Sequence, residues 1–208
     1  ECTKFKDRSA EFQKGFTGTA PIPYTILAGT YLVDCEPKIF FEWKREDEKF
    51  IQLSTKKKAN FPELKIKEMD NPNVNAESII VAISTTRRIK KHQLKDFGEQ
   101  DIIEIYLDDC KDNNITYIKQ LQNYRKVILD ELEALGRKNY PHLNQINLVA
   151  SIPSCMSLEI GRMIAQNNNR VKKIVAYHFV NQGTKLYPFG IAVTESQGQY
   201  KKGELIQN

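Results

Sequence analysis

Residues 146–165, "INLVASIPSCMSLEIGRMIA", set a six-residue apolar run against a Pro-Ser turn and then an amphipathic segment. The run 146–151 has the length and apolar content of a buried strand. Beyond Pro153 and Ser154, the residues Met156, Ile160, Met163 and Ile164 fall on one side of a helix over 157–166. A strand that passes through a short turn into a helix is the building unit of an α/β sheet protein.

The same unit recurs outward in both directions. "SIIVAIS" (78–84), "DIIEIYL" (101–107) and "KKIVAYHF" (172–179) are short β-branched runs, and "FGIAV" (189–193) closes the series. Their near-continuous apolar character predicts buried strands of a largely parallel sheet. Between them, Ile115, Ile118, Leu121, Ile128, Leu132 and Leu135 recur at three- and four-residue steps, which predicts a long helix with Asn114 as N-cap and Gly136 as its stop.

Upstream, "EFQKGFTGTAPIPYTILAGTYLVD" (11–34) gives a strand end, a turn and an apolar helix from Ile22 to Val33. "KIFFEWKR" (38–45) then supplies a strand, with "KFIQLS" (49–54) as its neighbour. The polar stretch 54–78 separates a first unit, 1–77, from a second, 78–208. At an offset of 132 residues Pro21 falls on Pro153 and Gly29 on Gly161, and each helix leads to an aromatic strand, "FFEW" or "AYHF". This order predicts a pseudo-twofold internal repeat of two Rossmann-type units.

Several classes are excluded. No apolar run approaches the roughly 18 residues of a membrane span, and the first residues carry no signal-peptide core. The expectation is a cytoplasmic piece of a longer chain. Four scattered cysteines and three scattered histidines, without CxxC, give neither a zinc site nor a disulfide framework. Walker, GxGxxG and GxSxG patterns are absent. The formal charge of +5 is compatible with an anionic partner.

Three turns should meet at the carboxyl edge of the sheet, where open α/β folds bind ligands: "TGTAP" (17–21), "STTRR" (84–88) and "SIPSC" (151–155). Their hydroxyls and helix N-termini suit phosphate oxygens, although Ser84, Thr85, Thr86 and Ser154 also fit the ordinary role of capping residues. Arg87 and Arg88 offer charge, and Trp43, Tyr177 and Phe179 offer aromatic faces for a base. Cys155 admits two roles: a nucleophile at a helix N-terminus, with His178 as the one candidate base on an adjacent strand, or part of a ligand cradle. With no third member to complete a catalytic set, the cradle is favoured and no catalytic residue is assigned.

"GTAPIPYTILAGTYLVD" with "FFEWKR", and "INLVASIPSCMSLEIGRMIA" with "KKIVAYHF" and "YPFGIAV", resemble the SAVED domain, the cyclic-oligonucleotide sensor of bacterial anti-phage CBASS effectors. The resemblance runs from about residue 12 to 195. It implies two fused CARF-like units and a cyclic dinucleotide ligand of the cyclic GMP–AMP type, made by a partner nucleotidyltransferase. It also implies homo-oligomerisation on binding and an N-terminal HNH endonuclease, absent from this sequence, through which alone DNA would be engaged. No other cofactor, metal or membrane is implied. Carried over, the ligand lies among Thr17, Gly18, Thr19, the turn Ser84, Thr85, Thr86, Arg87, and the turn Pro153, Ser154, Cys155, with Trp43, Lys44, Tyr177 and His178 around the bases.

Overall fold

The computed structural model describes residues 2–8, 11–56, 60–166, 173–195 and 201–208. Lys172, expected to begin a strand, and positions 57–59 of the connecting stretch lie outside the described residues. Among those described, seven strands form the larger sheet: β4 (Lys65–Lys67), β5 (Ser78–Ser84), β6 (Ile102–Tyr106), β7 (Gln145–Ser151), β8 (Lys173–Tyr177), β9 (Phe189–Ala192) and β10 (Leu205–Gln207). Their order is β10-β9-β8-β7-β5-β6-β4.

Alternation along β5 explains why this sheet is buried on both faces. Ile79, Val81 and Ile83 join Leu121, Ile128, Leu132, Leu158 and Ile160 in one core. Ile80 and Ala82 join Leu94, Phe97, Tyr177 and Tyr187 in a second core on the opposite face. The first core is covered by α3 (Ile118–Lys138) and α4 (Ser154–Gln166). The second is covered by a 3-10 turn over Lys91–Phe97 and the loop before β9.

A smaller sheet, β1-β2-β3, comprises β1 (Gly15–Phe16), β2 (Ile39–Lys44) and β3 (Lys49–Gln52). The helix α2 (Ile22–Tyr31) connects β1 to β2 and lies directly on α4; α1 (Cys2–Arg8) precedes it. Arg162 of α4, with 3% of its surface exposed, locks the pair. Its guanidinium donates to the carbonyls of Leu32 and Val33 at 3.2 Å each, just beyond the C-terminus of α2, and to the buried Glu159 carboxylate. Arg125 of α3 pairs with the other oxygen of Glu159, so one ionic cluster ties three helices together.

The structure differs from the sequence-based expectation in four places. The large sheet is mixed: β6, β5, β7 and β8 are parallel, whereas β4, β9 and β10 add antiparallel edges. No helix lies between β8 and β9, so the chain returns antiparallel without the crossover a parallel neighbour requires. β4 is a three-residue strand within the polar stretch expected to separate the two units, and β10 is a three-residue strand beyond the last apolar run, 189–193. α3 begins at Ile118 rather than after Asn114, because Ser54 pairs with Tyr117 and bonds to Thr116 and Ile118 on either side, holding the approach extended. It also runs through Gly136 to Lys138. Finally, α4 starts at Ser154, three residues earlier than expected.

Candidate functional site

A cleft of about 660 Å³ opens where the two sheets meet. In the large sheet β6 lies on one side of β5 and β7 on the other, so the chain reverses its direction of travel between β5 and β7. The carboxyl ends of these strands are level, Ser84 opposite Ser151, and ligand crevices form at such reversals. The first unit contributes Thr19 to Pro23, from the turn after β1 and the start of α2, and Glu42, Trp43 and Arg45, at the end of β2.

The turns after β5 and β7 are sewn together. Ser151 accepts the backbone N–H groups of Thr85 and Thr86 on its carbonyl, at 2.9 and 3.0 Å. Its hydroxyl lies 2.8 Å from that of Thr86 and accepts the N–H of Arg87 at 3.2 Å. The Ser84 hydroxyl accepts the N–H of Ile89. These bonds bring Thr86 and Arg87 beside Pro153 and Ser154, and they use the backbone N–H groups of Thr85, Thr86 and Arg87 within the turns themselves.

The two helix N-termini at the cleft differ. That of α4 is filled: the Glu42 carboxylate, reaching across from β2, accepts the N–H of Cys155 and lies against that of Ser154 and the Cys155 thiol. Burial raises the Glu42 pKa, and its hydrogen bonds to Cys155 and Ser154 oppose that rise. The N-terminus of α2 has no side-chain cap, and Pro21, Ile22 and Pro23 line the cleft there. Pro21 and Pro23 carry no N–H, so the Ile22 amide, together with the positive dipole end of the helix, is what this terminus presents to an anion in the cleft.

Thr19, Trp43, Thr86, Arg87, Pro153, Ser154, Tyr177 and His178 line the cleft. Thr17, Gly18, Lys44, Ser84, Thr85 and Cys155 do not. Thr17 is exposed and Gly18 packs near Phe16; Lys44 turns away to Asp47 at 3.1 Å. Ser84, Thr85 and Cys155 point into the interior, with Thr85 and Cys155 fully buried. Burial, together with the charge of Glu42, pushes the Cys155 thiol well above its ordinary pKa, the reverse of what a thiolate nucleophile needs.

Sequence reasoning did not assign Glu42, Arg45, Gln93, Asp112, Asn113 or Tyr187, all of which line the cleft. A lone carboxylate inside the apolar run "FFEW" was the available signal for Glu42, since a charge on a strand must find a partner. Arg45 and Arg87 are exposed and make no ion pair among the described residues. Arg88, by contrast, is engaged, paired with Glu104 and stacked 3.2 Å over the Tyr106 ring. Aromatic faces come from Trp43 and Phe179, both over a third exposed, and from His178, which packs on Phe189. The Tyr187 hydroxyl is pushed up to about 12 by burial and Asp96, so it remains a neutral donor. No cluster of metal-binding side chains exists among the described residues, nor is any described helix long and apolar enough to cross a membrane.

Solved structures share this fold. The Acinetobacter baumannii Cap4 SAVED/CARF-domain containing receptor with the cyclic trinucleotide 2′3′3′-cAAA aligns over 92% of this chain and 40% of its own, at 16% identity and a TM-score of 0.61. The same receptor with 3′3′3′-cAAA aligns over 93% and 41%, at 14% identity and 0.61. The Moraxella osloensis Cap4 receptor aligns over 92% and 39%, at 12% identity and 0.52. The chain thus spans about 40% of the length of the Acinetobacter receptors. Comparison with curated proteins gives no match. The family model for the "SMODS-associated and fused to various effectors sensor domain" matches residues 1–193, and the chain belongs to this family, SAVED.

Proposed function

We propose that this chain is the sensor part of an anti-phage CBASS effector and binds a cyclic oligonucleotide, without altering it, in the cleft between its two sheets. The observation that carries this is the donor set of the cleft. The N-terminus of α2, without a side-chain cap, and Arg45 and Arg87, which make no ion pair among the described residues, stand among the exposed aromatic faces of Trp43 and Phe179. Phosphodiesters need the first two and bases the last. The volume is within the roughly 300–1,000 Å³ usual for small-molecule sites. One structural relative is solved with two different cyclic trinucleotides, which supports the ligand class.

In the finer form, the ligand is a cyclic dinucleotide of the cyclic GMP–AMP type, made by a partner nucleotidyltransferase. Binding drives self-association, which activates an attached N-terminal HNH endonuclease. The α2–α4 pair, with Gly29 against Gly161, supports descent of the two halves from a duplicated CARF-like unit. Ligand spanning both sheets is a direct route to assembly, because it stabilises one arrangement of the halves over others.

Thermal unfolding against a panel of cyclic di- and trinucleotides tests the sensor. A ligand at about a hundred times its dissociation constant adds about 2.7 kcal/mol, a shift of several degrees. The bound nucleotide should be recovered intact. No shift with any cyclic nucleotide, or its breakdown, would refute the proposal.

A further inference from the structure

Glu42 is the half-buried carboxylate of the cleft, whose other carboxylate, Asp112, is exposed. Its position is fixed, because Oε1 accepts the N–H of Cys155 at the start of α4. The Ser154 N–H and the Cys155 thiol lie against the same carboxylate, and no described residue outside this turn donates to it within hydrogen-bonding distance, although an ionised carboxylate has about four acceptor sites over its two oxygens. A phosphodiester is repelled from this place and directed to the open α2 N-terminus and to Arg45 and Arg87. What Glu42 can accept is a base edge that carries donors.

The nucleobases differ in what they offer. Adenine and cytosine each set an amino donor beside a ring-nitrogen acceptor, whose lone pair would face the carboxylate. Uracil flanks its single N–H with two carbonyl oxygens. Guanine alone presents two adjacent donors, N1–H and the N2 amine, on one edge. We propose that Glu42 is a specificity-determining residue that selects a guanine base in the cyclic oligonucleotide; this rests on the sensor function proposed above.

The test is calorimetric titration with cyclic di-AMP, cyclic GMP–AMP, cyclic tri-AMP and cyclic AMP–AMP–GMP. The guanine-bearing member of at least one pair should bind at least about tenfold more tightly than its all-adenine counterpart, as expected for hydrogen bonds to a charged group. Glu42→Gln should bring that ratio toward one, a readout that a general loss of folded protein does not move. Replacing guanine by hypoxanthine, which lacks the N2 amine, should weaken binding to the unmodified protein about tenfold and requires no variant. All-adenine ligands binding as tightly as guanine-bearing ones would overturn the inference while leaving the sensor intact. An unchanged ratio in Glu42→Gln, or no loss with hypoxanthine, would also overturn it. Absence of binding by all four would remove both.

Discussion

Gly29 of α2 lies against Gly161 of α4, so close that a Cβ built on Gly29 would sit 3.1 Å from the Gly161 Cα and overlap the carbonyl oxygen of Leu158. A Cβ on Gly161 would overlap the carbonyl oxygen of Ile26 in the same way. The backbones of two helices that frame the cleft thus touch without intervening side chains, and the first turn of each helix forms part of its lining.

Gly161→Ala measures this contact with a sign that helix propensity cannot supply. In an unconstrained helix the change would stabilise by about 1 kcal/mol. Here the obstructing atoms are backbone, and a loss of about 3 kcal/mol or more is expected. Chemical denaturation should show it, and a neutral or stabilising result would mean that the helices can separate freely.

Arg162→Met should destabilise by about 3–5 kcal/mol, because it leaves the buried Glu159 with Arg125 alone and removes the donors to Leu32 and Val33. Combining it with Glu159→Leu should recover part of the loss, since the stranded charge is then gone. Denaturant midpoints for the single and double variants decide this.

Glu131 on α3 is buried, its Oε1 has no hydrogen-bond partner, and burial raises its pKa, with Lys138 opposing and Glu68 adding to the rise. The folded chain therefore holds this proton more tightly than the unfolded one. The resulting stability is present below the ordinary carboxylate pKa of about 4.5 and is lost as pH rises through the folded value. Glu131→Gln should melt near the parent at pH 4 and above it at pH 8; a lower melting temperature at pH 8 would contradict this.

Arg45→Ala and Arg87→Ala should each weaken cyclic-oligonucleotide binding about ten- to a hundredfold, the range of one charge-assisted hydrogen bond. Both side chains are exposed, so the melting temperature without ligand should stay within about a degree or two of the parent. Unchanged affinity in both variants would place the phosphates elsewhere.

Thiol labelling of the native protein at pH 8 should spare Cys35 and Cys155, which are buried, and reach only Cys2 and Cys110, which are partly exposed. Rapid modification of Cys155, located by peptide mapping, would reopen its role as a nucleophile.

The parts of the fold that were legible are those in which a local pattern and the tertiary environment agree. β5, β6, β7 and α4 are continuous apolar or strictly periodic segments buried by the sheet they form. β4 escaped notice because "KIK" is three exposed residues whose pairing with β6 is decided elsewhere in the chain. The turns at the carboxyl ends of the strands were locatable, so Thr86, Arg87, Pro153 and Ser154 could be found. Which neighbours in those turns face inward, as Thr85 and Cys155 do, depends on exact backbone direction. Glu42 was the hardest: its partner is 113 residues away in sequence, and no local rule connects "FFEW" to the start of α4.

The contact between α2 and α4 also sets a timetable for synthesis. Gly29 leaves the ribosome 132 residues before Gly161. At about 5–20 residues per second, roughly 7–26 s pass before its partner exists. Throughout that interval Ile26, fully buried in the finished protein, has no α4 to cover it. The nascent chain must hold an apolar helix in waiting, and the first unit completes its core only when the second has been made.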